Sequence, residues 1–311
     1  PDRLWSAGTL RYSAGPFGIS LITVGIIMAV KNRQWAAWAA WVLGGILAFA
    51  NSQVLGQSMS LTHCFGECPR YESQLAAERA KVVVHHLYVA GLNGDSGLAD
   101  WSAYRLTAEA IGVASLLPRA WRPDRLVQFS PLQDLLLTDD AELSLAEIST
   151  NNSNPYAGSG VTESVPDARA RLAPMTSFAN TPYWSDLNNL SNMVPMPADL
   201  RRGVWLQLEQ RLNRAASRHG ELYVIAGPLF LISNLSPFSA EQNQTPAAYY
   251  KVVAHSSGVA AFVFPAQLGQ NATVCDYQAT LADVEGMAGL FLLPDRSVTR
   301  SDWLLAELGC S

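Results

Sequence analysis

The chain has 311 residues, a net charge of −5, an apolar share of 49% and a charged share of only 15%. Soluble domains carry roughly 25% charged residues, so part of this chain is expected to lie in lipid. Its pI of about 5.5 argues against sequence-independent binding of nucleic acid, although a local basic patch could survive that balance.

Two apolar runs open the chain. Residues 17–30 (FGISLITVGIIMAV) carry no charge, and residues 35–54 (WAAWAAWVLGGILAFANSQV) follow after a short polar break. The second run is about long enough to span a bilayer as a helix. The first run is long enough only if its helix is tilted or if neighbouring residues extend it. We expect a membrane anchor over residues 1–56, as a two-helix hairpin or as one span plus an interfacial helix. A buried helical hairpin is the alternative, and the double run without a small-residue cleavage site disfavours a secretory signal.

The charges between the two runs predict an orientation. Lys31 and Arg33 would lie on the positive-inside side of the membrane. With a hairpin, the large C-terminal domain then lies on the opposite side, which is the mitochondrial intermembrane space, the periplasm or the exterior. The length is enough for one such domain and its anchor.

Four cysteines follow the runs. Cys64 and Cys68 form a C-x3-C pair within a predicted connector, residues 57–78, whereas Cys275 and Cys310 are isolated in sequence. We expect a disulfide between Cys64 and Cys68 in an oxidising compartment, with two inert thiols as the alternative.

Residues 79–311 have the pattern of one globular α/β domain. Apolar, β-rich runs predict strands at 81–89, which includes His85 and His86, and also at 221–232 and 249–264. Apolar residues at helical spacing predict a helix over 202–219 that ends at Gly220.

Short segments spread along this domain share the order of a known family. They are residues 100–108 (DWSAYRLTA), 156–160 (YAGSG), 169–174 (RARLAP), 190–195 (LSNMVP), 200–209 (LRRGVWLQLE), 223–229 (YVIAGPL) and 261–265 (AFVFP). In this order they resemble the DNA/RNA non-specific endonucleases, the family of endonuclease G. The resemblance implies an α/β (α+β) fold of the ββα-metal nuclease type, with a central, mostly antiparallel sheet.

The resemblance also assigns catalytic positions, and three of them carry other residues here. The general base of the family's D-R-G-H motif, a histidine, corresponds to Arg171, and only Arg169 of that motif remains. A guanidinium stays protonated below about pH 12 and cannot act as a base. The asparagine that binds Mg²⁺ corresponds to Arg201, which has no lone pair for a metal. The arginine that contacts phosphate corresponds to Gly97.

Two supporting positions match the family. Asn192 and Glu209 are the residues that the family pattern expects, and Glu209 is predicted to pair with Arg201 or Arg171. The two new arginines have two interpretations. They bind an anion, such as phosphate or a cardiolipin head group, or they pair internally, which we favour.

These replacements predict a catalytically inactive nuclease-like protein without a metal or other cofactor. Its resemblance to mitochondrial relatives and its anchor lead to the hypothesis of a structural subunit in a mitochondrial inner-membrane complex of the respiratory chain, with its domain in the intermembrane space. Its expected partners are other subunits, a homo- or heterodimeric paralogue and the lipid bilayer. The alternatives are a membrane-bound nuclease with a relocated base, for which His85 or His86 would have to lie beside the old site, and a non-cleaving nucleic-acid binder.

Overall fold

The computed structural model describes residues 61–94, 97–128, 169–230 and 246–310. The predicted membrane runs and the YAGSG segment lie outside these residues. Within the described ranges, no helix combines the length and the apolar character that a membrane span requires.

A seven-stranded sheet with antiparallel neighbours forms the centre of the described domain. Its strands are β2 (Lys81–Val84), β3 (Val89–Leu92), β4 (Ala99–Thr107), β7 (Glu221–Leu229), β8 (Ala248–His255), β9 (Gly258–Pro265) and β10 (Gln278–Ala279). Their order across the sheet is β10-β9-β8-β7-β4-β3-β2. The predicted antiparallel sheet is therefore confirmed.

Two short strand pairs accompany this sheet. One pair joins β1 (Arg70–Tyr71) to β11 (Leu290–Phe291), and the other joins β5 (Arg169–Arg171) to β6 (Met193–Pro195). The first pair connects the segment around the Cys64–Cys68 pair to the end of the domain. The second pair carries the RARLAP and LSNMVP segments side by side.

The run at 81–89 forms a hairpin, so the prediction of one continuous strand is wrong. The backbone N–H of His85 donates to the carbonyl of Tyr88 at 2.9 Å, and Val84 pairs with Val89 across the turn. The turn contains no Gly or Pro to mark it in the sequence. Both neighbouring histidines, His85 and His86, therefore lie at a sheet end and not within a strand.

Six α-helical segments accompany the strands in the described chain. They are α1 (Gln74–Arg79), α2 (Arg125–Gln128), α3 (Ala198–Leu200), α4 (Leu206–His219), α5 (Leu281–Ala288) and α6 (Asp302–Glu307). The longest, α4, buries Leu208, Leu212 and Ala215, whose spacing is that of one helix face. It ends at Gly220, as predicted, where φ is +98° and a side chain would be strained.

A wide helical turn precedes α4. Residues Arg201–Trp205 form a π-helical segment, and Gly203 within it has φ −90° and ψ −120°. A Cβ at Gly203 would lie 2.9 Å from the Cα and the carbonyl oxygen of Gln270, so the backbones approach too closely for a side chain. Such wide turns occur often at functional sites.

Two disulfides cross-link the described domain. Cys64 is bonded to Cys68, and Cys275 is bonded to Cys310 across 35 positions of sequence. The second bond joins two cysteines that looked isolated in the sequence. It ties the turn at Val274–Tyr277 to the residues that follow α6.

Candidate degenerate active site

The side chain of Arg171 holds several segments together. Its Nε donates to the carbonyl of Leu187 at 3.2 Å, and its Nη2 donates to the carbonyl of Arg119 at 3.1 Å and to Oδ1 of Asn188 at 2.5 Å. The guanidinium carbon lies 4.2 Å from the centre of the Trp121 ring, where a cation is attracted to the π face. Arg171 therefore links β5 to the loop around Trp121 and to the turn that contains Leu187.

The electrostatic environment leaves Arg171 as a proton donor only. Burial, followed by the positive charges of Arg119 and Arg201, lowers the pKa of Arg171 to about 10. At pH 7 a group with that pKa is still protonated by about a thousand to one. A protonated guanidinium has no lone pair that could take a proton from water.

Arg201 begins the wide helical turn. Its backbone N–H donates to the carbonyl of Pro197 at 3.0 Å, and its side chain is half-buried. The positive charge of Arg201 acts on Arg171 and contributes to the lowered pKa of Arg171. The turn thus places Arg201 close enough to Arg171 for their charges to interact.

Glu209 bonds to a lysine that the sequence did not suggest, and the charge of Arg171 also acts on it. Its Oε1 accepts from Nζ of Lys251 at 3.2 Å, and the Lys251 ammonium lies 3.9 Å from the centre of the Trp205 ring. Both side chains are buried. Burial raises the pKa of Glu209 and lowers the pKa of Lys251, and each partner opposes the shift of the other.

The residues at this site do not fit the Mg²⁺ ion that the family resemblance implies. Magnesium requires neutral or anionic oxygen ligands, and the side chains of Arg171 and Arg201 offer none. The nearby carboxylate of Glu209 already bonds to Lys251. In the parts of the chain that the structure describes, no group of three His, Cys, Asp or Glu side chains is placed to hold a metal.

The remaining family positions have structural partners. Asn192 is buried, accepts from the N–H of Ala173 at 2.8 Å and donates to the carbonyls of Ala173 and Leu187. It thereby fixes the segment after β5. Arg169 pairs in register with Pro195 across β5 and β6. Gly97 lies in the β3–β4 connection, where its φ is +68° and its N–H donates to the carbonyl of Asn93.

A buried polar cluster surrounds His85. Its Nε2 lies 2.7 Å from Oδ2 of Asp124, which also accepts from the Ser191 hydroxyl. The Tyr88 hydroxyl lies 2.8 Å from Oγ of Ser191. Burial alone would raise the pKa of Asp124, but the contacts with His85 and Ser191 outweigh it and lower that pKa.

His86 forms an exposed pair with a carboxylate. Its Nδ1 lies 2.9 Å from Oδ2 of Asp186, and its ring stacks on Tyr183 with 4.0 Å between ring centres. Arg122 also contacts Asp186, at 3.3 Å. Because Asp186 directly precedes Leu187, this pair lies at the edge of the region that Arg171 holds together.

Two participants were missed by reasoning from the sequence. Lys251 stands in the apolar run AYYKVVA, and a single charge in a buried strand was the available signal. Asp124 lies among ordinary loop residues, and no pattern marks it. Its partners His85 and Ser191 are 39 and 67 positions away.

Comparison with known proteins gives consistent matches. A family model for DNA/RNA non-specific endonuclease matches residues 69–298. The chain is 27% identical over 294 residues to a nuclease from Serratia marcescens, a match that covers 90% of this chain and 98% of that protein. It is 28% identical over 158 residues to the human mitochondrial nuclease EXOG, which covers 45% of this chain and 41% of that protein.

A solved structure supports the same fold. A chain in the crystal structure of the EndoG/EndoGI complex superposes with a TM-score of 0.52 at 19% identity, and the match covers 70% of this chain and 86% of that chain. At that identity the likeness concerns the fold alone. Because the family model spans well over half of the sequence, the chain belongs to the DNA/RNA non-specific endonuclease family.

Proposed function

We propose that this chain is a non-hydrolysing member of its family and serves as a structural or binding subunit. The observation that carries the proposal is the set of contacts made by Arg171. At the position assigned to the general base, its guanidinium donates to Leu187, Arg119 and Asn188 and stacks on Trp121. Through these contacts the Arg171 side chain joins several segments of the chain.

Three separate roles would be lost together. Loss of a general base alone lowers a rate by about 10²–10⁴-fold. Arg201 at the metal-ligand position opposes the cation that would stabilise the developing charge. Gly97 offers no side chain to a phosphate. Since each position serves a different step, restoring one of them is not expected to restore cleavage.

The test is a cleavage assay with plasmid DNA and with RNA over a Mg²⁺ titration, using the wild-type chain and variants. The wild type is expected to give no metal-dependent cleavage. The double variant Arg171→His with Arg201→Asn is expected to gain it, and adding Gly97→Arg is expected to raise it further. The single variant Arg171→His is the matched control and is expected to remain inactive.

The folded state of each variant must be checked by circular dichroism, because Arg171 also holds loops together. Mg²⁺-dependent cleavage by the wild-type chain, at a rate comparable to that of an active relative, would contradict the proposal. A folded triple variant without activity would show that the loss has a cause other than these three positions.

The pair of His86 and Asp186 favours one alternative function, a nuclease with a relocated base. A carboxylate on Nδ1 leaves Nε2 of an exposed imidazole as the proton acceptor. In this case the wild type would cleave, and His86→Ala would abolish cleavage. His255→Ala, which changes another exposed histidine, is the matched control.

The proposed location is an oxidising compartment, and the two disulfides support it. The intermembrane space, the periplasm and the exterior all meet that condition. The narrower hypothesis, a subunit of a mitochondrial respiratory-chain complex, stays a prediction. Gentle detergent extraction, native gel separation and mass spectrometry would test it, since a free monomer or dimer on the gel would rule it out.

A further inference from the structure

The loop at residues 111–121 (IGVASLLPRAW), here called the apolar loop, is held firmly against the domain. Ala114 is buried, and Ile111 and Leu117 pack against the main core. The N–H of Gly112 donates to the carbonyl of Thr176 at 3.0 Å. Side chains from the degenerate site bond to the other end of the loop, where the carbonyls of Pro118 and Arg119 accept from Asn188 and Arg171.

Two aliphatic side chains project from this anchored loop. Val113 is 79% exposed and Leu116 is 91% exposed. Ala114 between them is buried and Leu117 after them is half-buried, so these two neighbours hold the loop while Val113 and Leu116 face outward. Single exposed apolar residues are common, but two on one anchored loop form a surface that can enter an apolar phase.

Basic residues follow the exposed pair directly. Arg119, Arg122 and Arg125 are exposed, and no acidic residue occurs between Glu109 and Asp124. Asp124 is buried against His85, and Arg122 pairs with Asp186. Among the described residues, neither Arg119 nor Arg125 forms an ion pair with a carboxylate.

We propose that the apolar loop and its arginines dock the domain onto an anionic phospholipid surface. Val113 and Leu116 enter the acyl boundary, while Arg119 and Arg125 donate to lipid phosphates. Nucleic acid would also attract the arginines, but it offers stacked bases and phosphates rather than a phase that takes up aliphatic side chains. This docking does not depend on whether the domain hydrolyses nucleic acid.

The experiment uses the full chain reconstituted in lipid discs, with an environment-sensitive fluorophore attached at Leu116→Cys. The matched control carries the fluorophore at Leu75→Cys, another exposed leucine, in α1. Both native cysteine pairs are bonded, so labelling without reductant targets the new thiol. Discs contain phosphatidylcholine alone or with phosphatidylglycerol, and a spin-labelled lipid serves as the quencher.

Quenching at position 116 is expected in anionic discs, with little at position 75 and little in neutral discs. Each of Arg119→Gln and Arg125→Gln is expected to lower the ratio of lipid-bound to free loop about five-fold. Arg214→Gln, at an exposed position of α4, is expected to leave that ratio unchanged. High salt is expected to weaken quenching as well.

Three outcomes would overturn the proposal. They are no quenching at position 116 in anionic discs, equal quenching at positions 116 and 75, and quenching that is equally strong in neutral discs. A spectral change at position 116 that requires DNA or another protein, and occurs without lipid, would assign the surface to that partner instead.

Discussion

Arg171 makes structural contacts with several segments of the domain. Its Nε and Nη2 groups satisfy two carbonyls and one side-chain amide oxygen, and its flat guanidinium covers Trp121. A lysine could reach one of these acceptors but not all of them, because its ammonium is a single point on a flexible stem. The contribution of Arg171 to stability therefore depends on the several donors of the planar guanidinium and not only on its charge.

We predict that Arg171→Ala lowers the free energy of unfolding by about 2–3 kcal/mol, since buried acceptors lose their donor. Arg171→Lys is expected to recover less than half of that loss. Urea denaturation measures both values. Arg214→Ala, at an exposed position, should change stability by no more than about 0.5 kcal/mol. An Arg171→Ala variant as stable as the wild type would show that these contacts contribute nothing.

Asp100 is a single residue that makes the stability of the fold depend on pH. Burial raises its pKa from 3.8 to about 6, while hydrogen bonds from Tyr71 and Asn93 oppose the rise. A folded-state pKa above the unfolded value means that the folded chain binds the proton more tightly. This residue therefore stabilises the fold most below about pH 4, and its contribution is lost as the pH rises to about 6.

We predict that the free energy of unfolding of Asp100→Asn, relative to that of the wild type, rises by about 1–2 kcal/mol when the pH is raised from 4 to 7. This value allows for partial solvent screening. Urea denaturation at both pH values measures the difference. The same substitution at exposed Asp276 should show no such change. An equal stability difference at both pH values would contradict the assignment to Asp100.

At the scale of elements, the two disulfides close loops of different length. In the chain-entropy model the stabilisation grows with loop length, which gives about 2 kcal/mol for Cys64–Cys68 and about 4 kcal/mol for Cys275–Cys310. The longer link also involves Arg211, whose Nη1 donates to the carbonyl of Leu308 at 2.8 Å and lies 3.3 Å from Sγ of Cys275.

We predict that replacing both Cys275 and Cys310 by alanine destabilises the domain about 2 kcal/mol more than replacing both Cys64 and Cys68. Thermal unfolding under non-reducing conditions compares the two double variants. The wild type with added reductant serves as the reference in which both links are open. The opposite order of stability would mean that strain or local packing dominates over loop length.

The elements differ in how well the sequence predicted them. Strand β7 was predictable as an apolar, β-rich run, and α4 was predictable from one buried face and a terminal glycine. The run at 249–264 was predicted as strand, but it forms two strands, β8 and β9, joined by a turn after His255. The β2–β3 hairpin was not predictable, because its turn contains two histidines and no turn-forming residue. The pairing of Cys275 with Cys310 depends on how α6 packs against the sheet, which local pattern does not encode.

The candidate site was predictable in position but not in its contacts. Motif order assigned Arg171 and Arg201 to neighbouring roles, and their charges do interact. Lys251, which bonds to Glu209, was missed because it comes from β8, 42 positions along the chain. Contacts between distant strands and helices follow from the tertiary fold, so residue spacing alone does not identify them.

At the scale of the whole molecule, charge limits what the protein can bind. The net charge is −5 over the complete sequence, while Arg119, Arg171 and Arg201 are close enough for their charges to interact. A small basic region on an acidic protein gives weak, salt-sensitive attraction to phosphate backbones.

We predict that the wild-type chain binds a DNA duplex only weakly at ~50 mM salt and loses that binding by ~200 mM. Fluorescence anisotropy with labelled DNA, without Mg²⁺, measures this. An active family nuclease under the same conditions is the positive control for binding. Tight binding with a steep dependence on salt would instead favour the non-cleaving nucleic-acid binder.

The two disulfides have a consequence for producing this protein in a recombinant host. In the reducing bacterial cytosol neither bond would form, and the loss of about 6 kcal/mol is comparable to the whole stability of many domains. Cytosolic expression is therefore expected to yield inclusion bodies. Export to the periplasm, or a host strain with an oxidising cytosol, is the suitable route to protein with both disulfides formed.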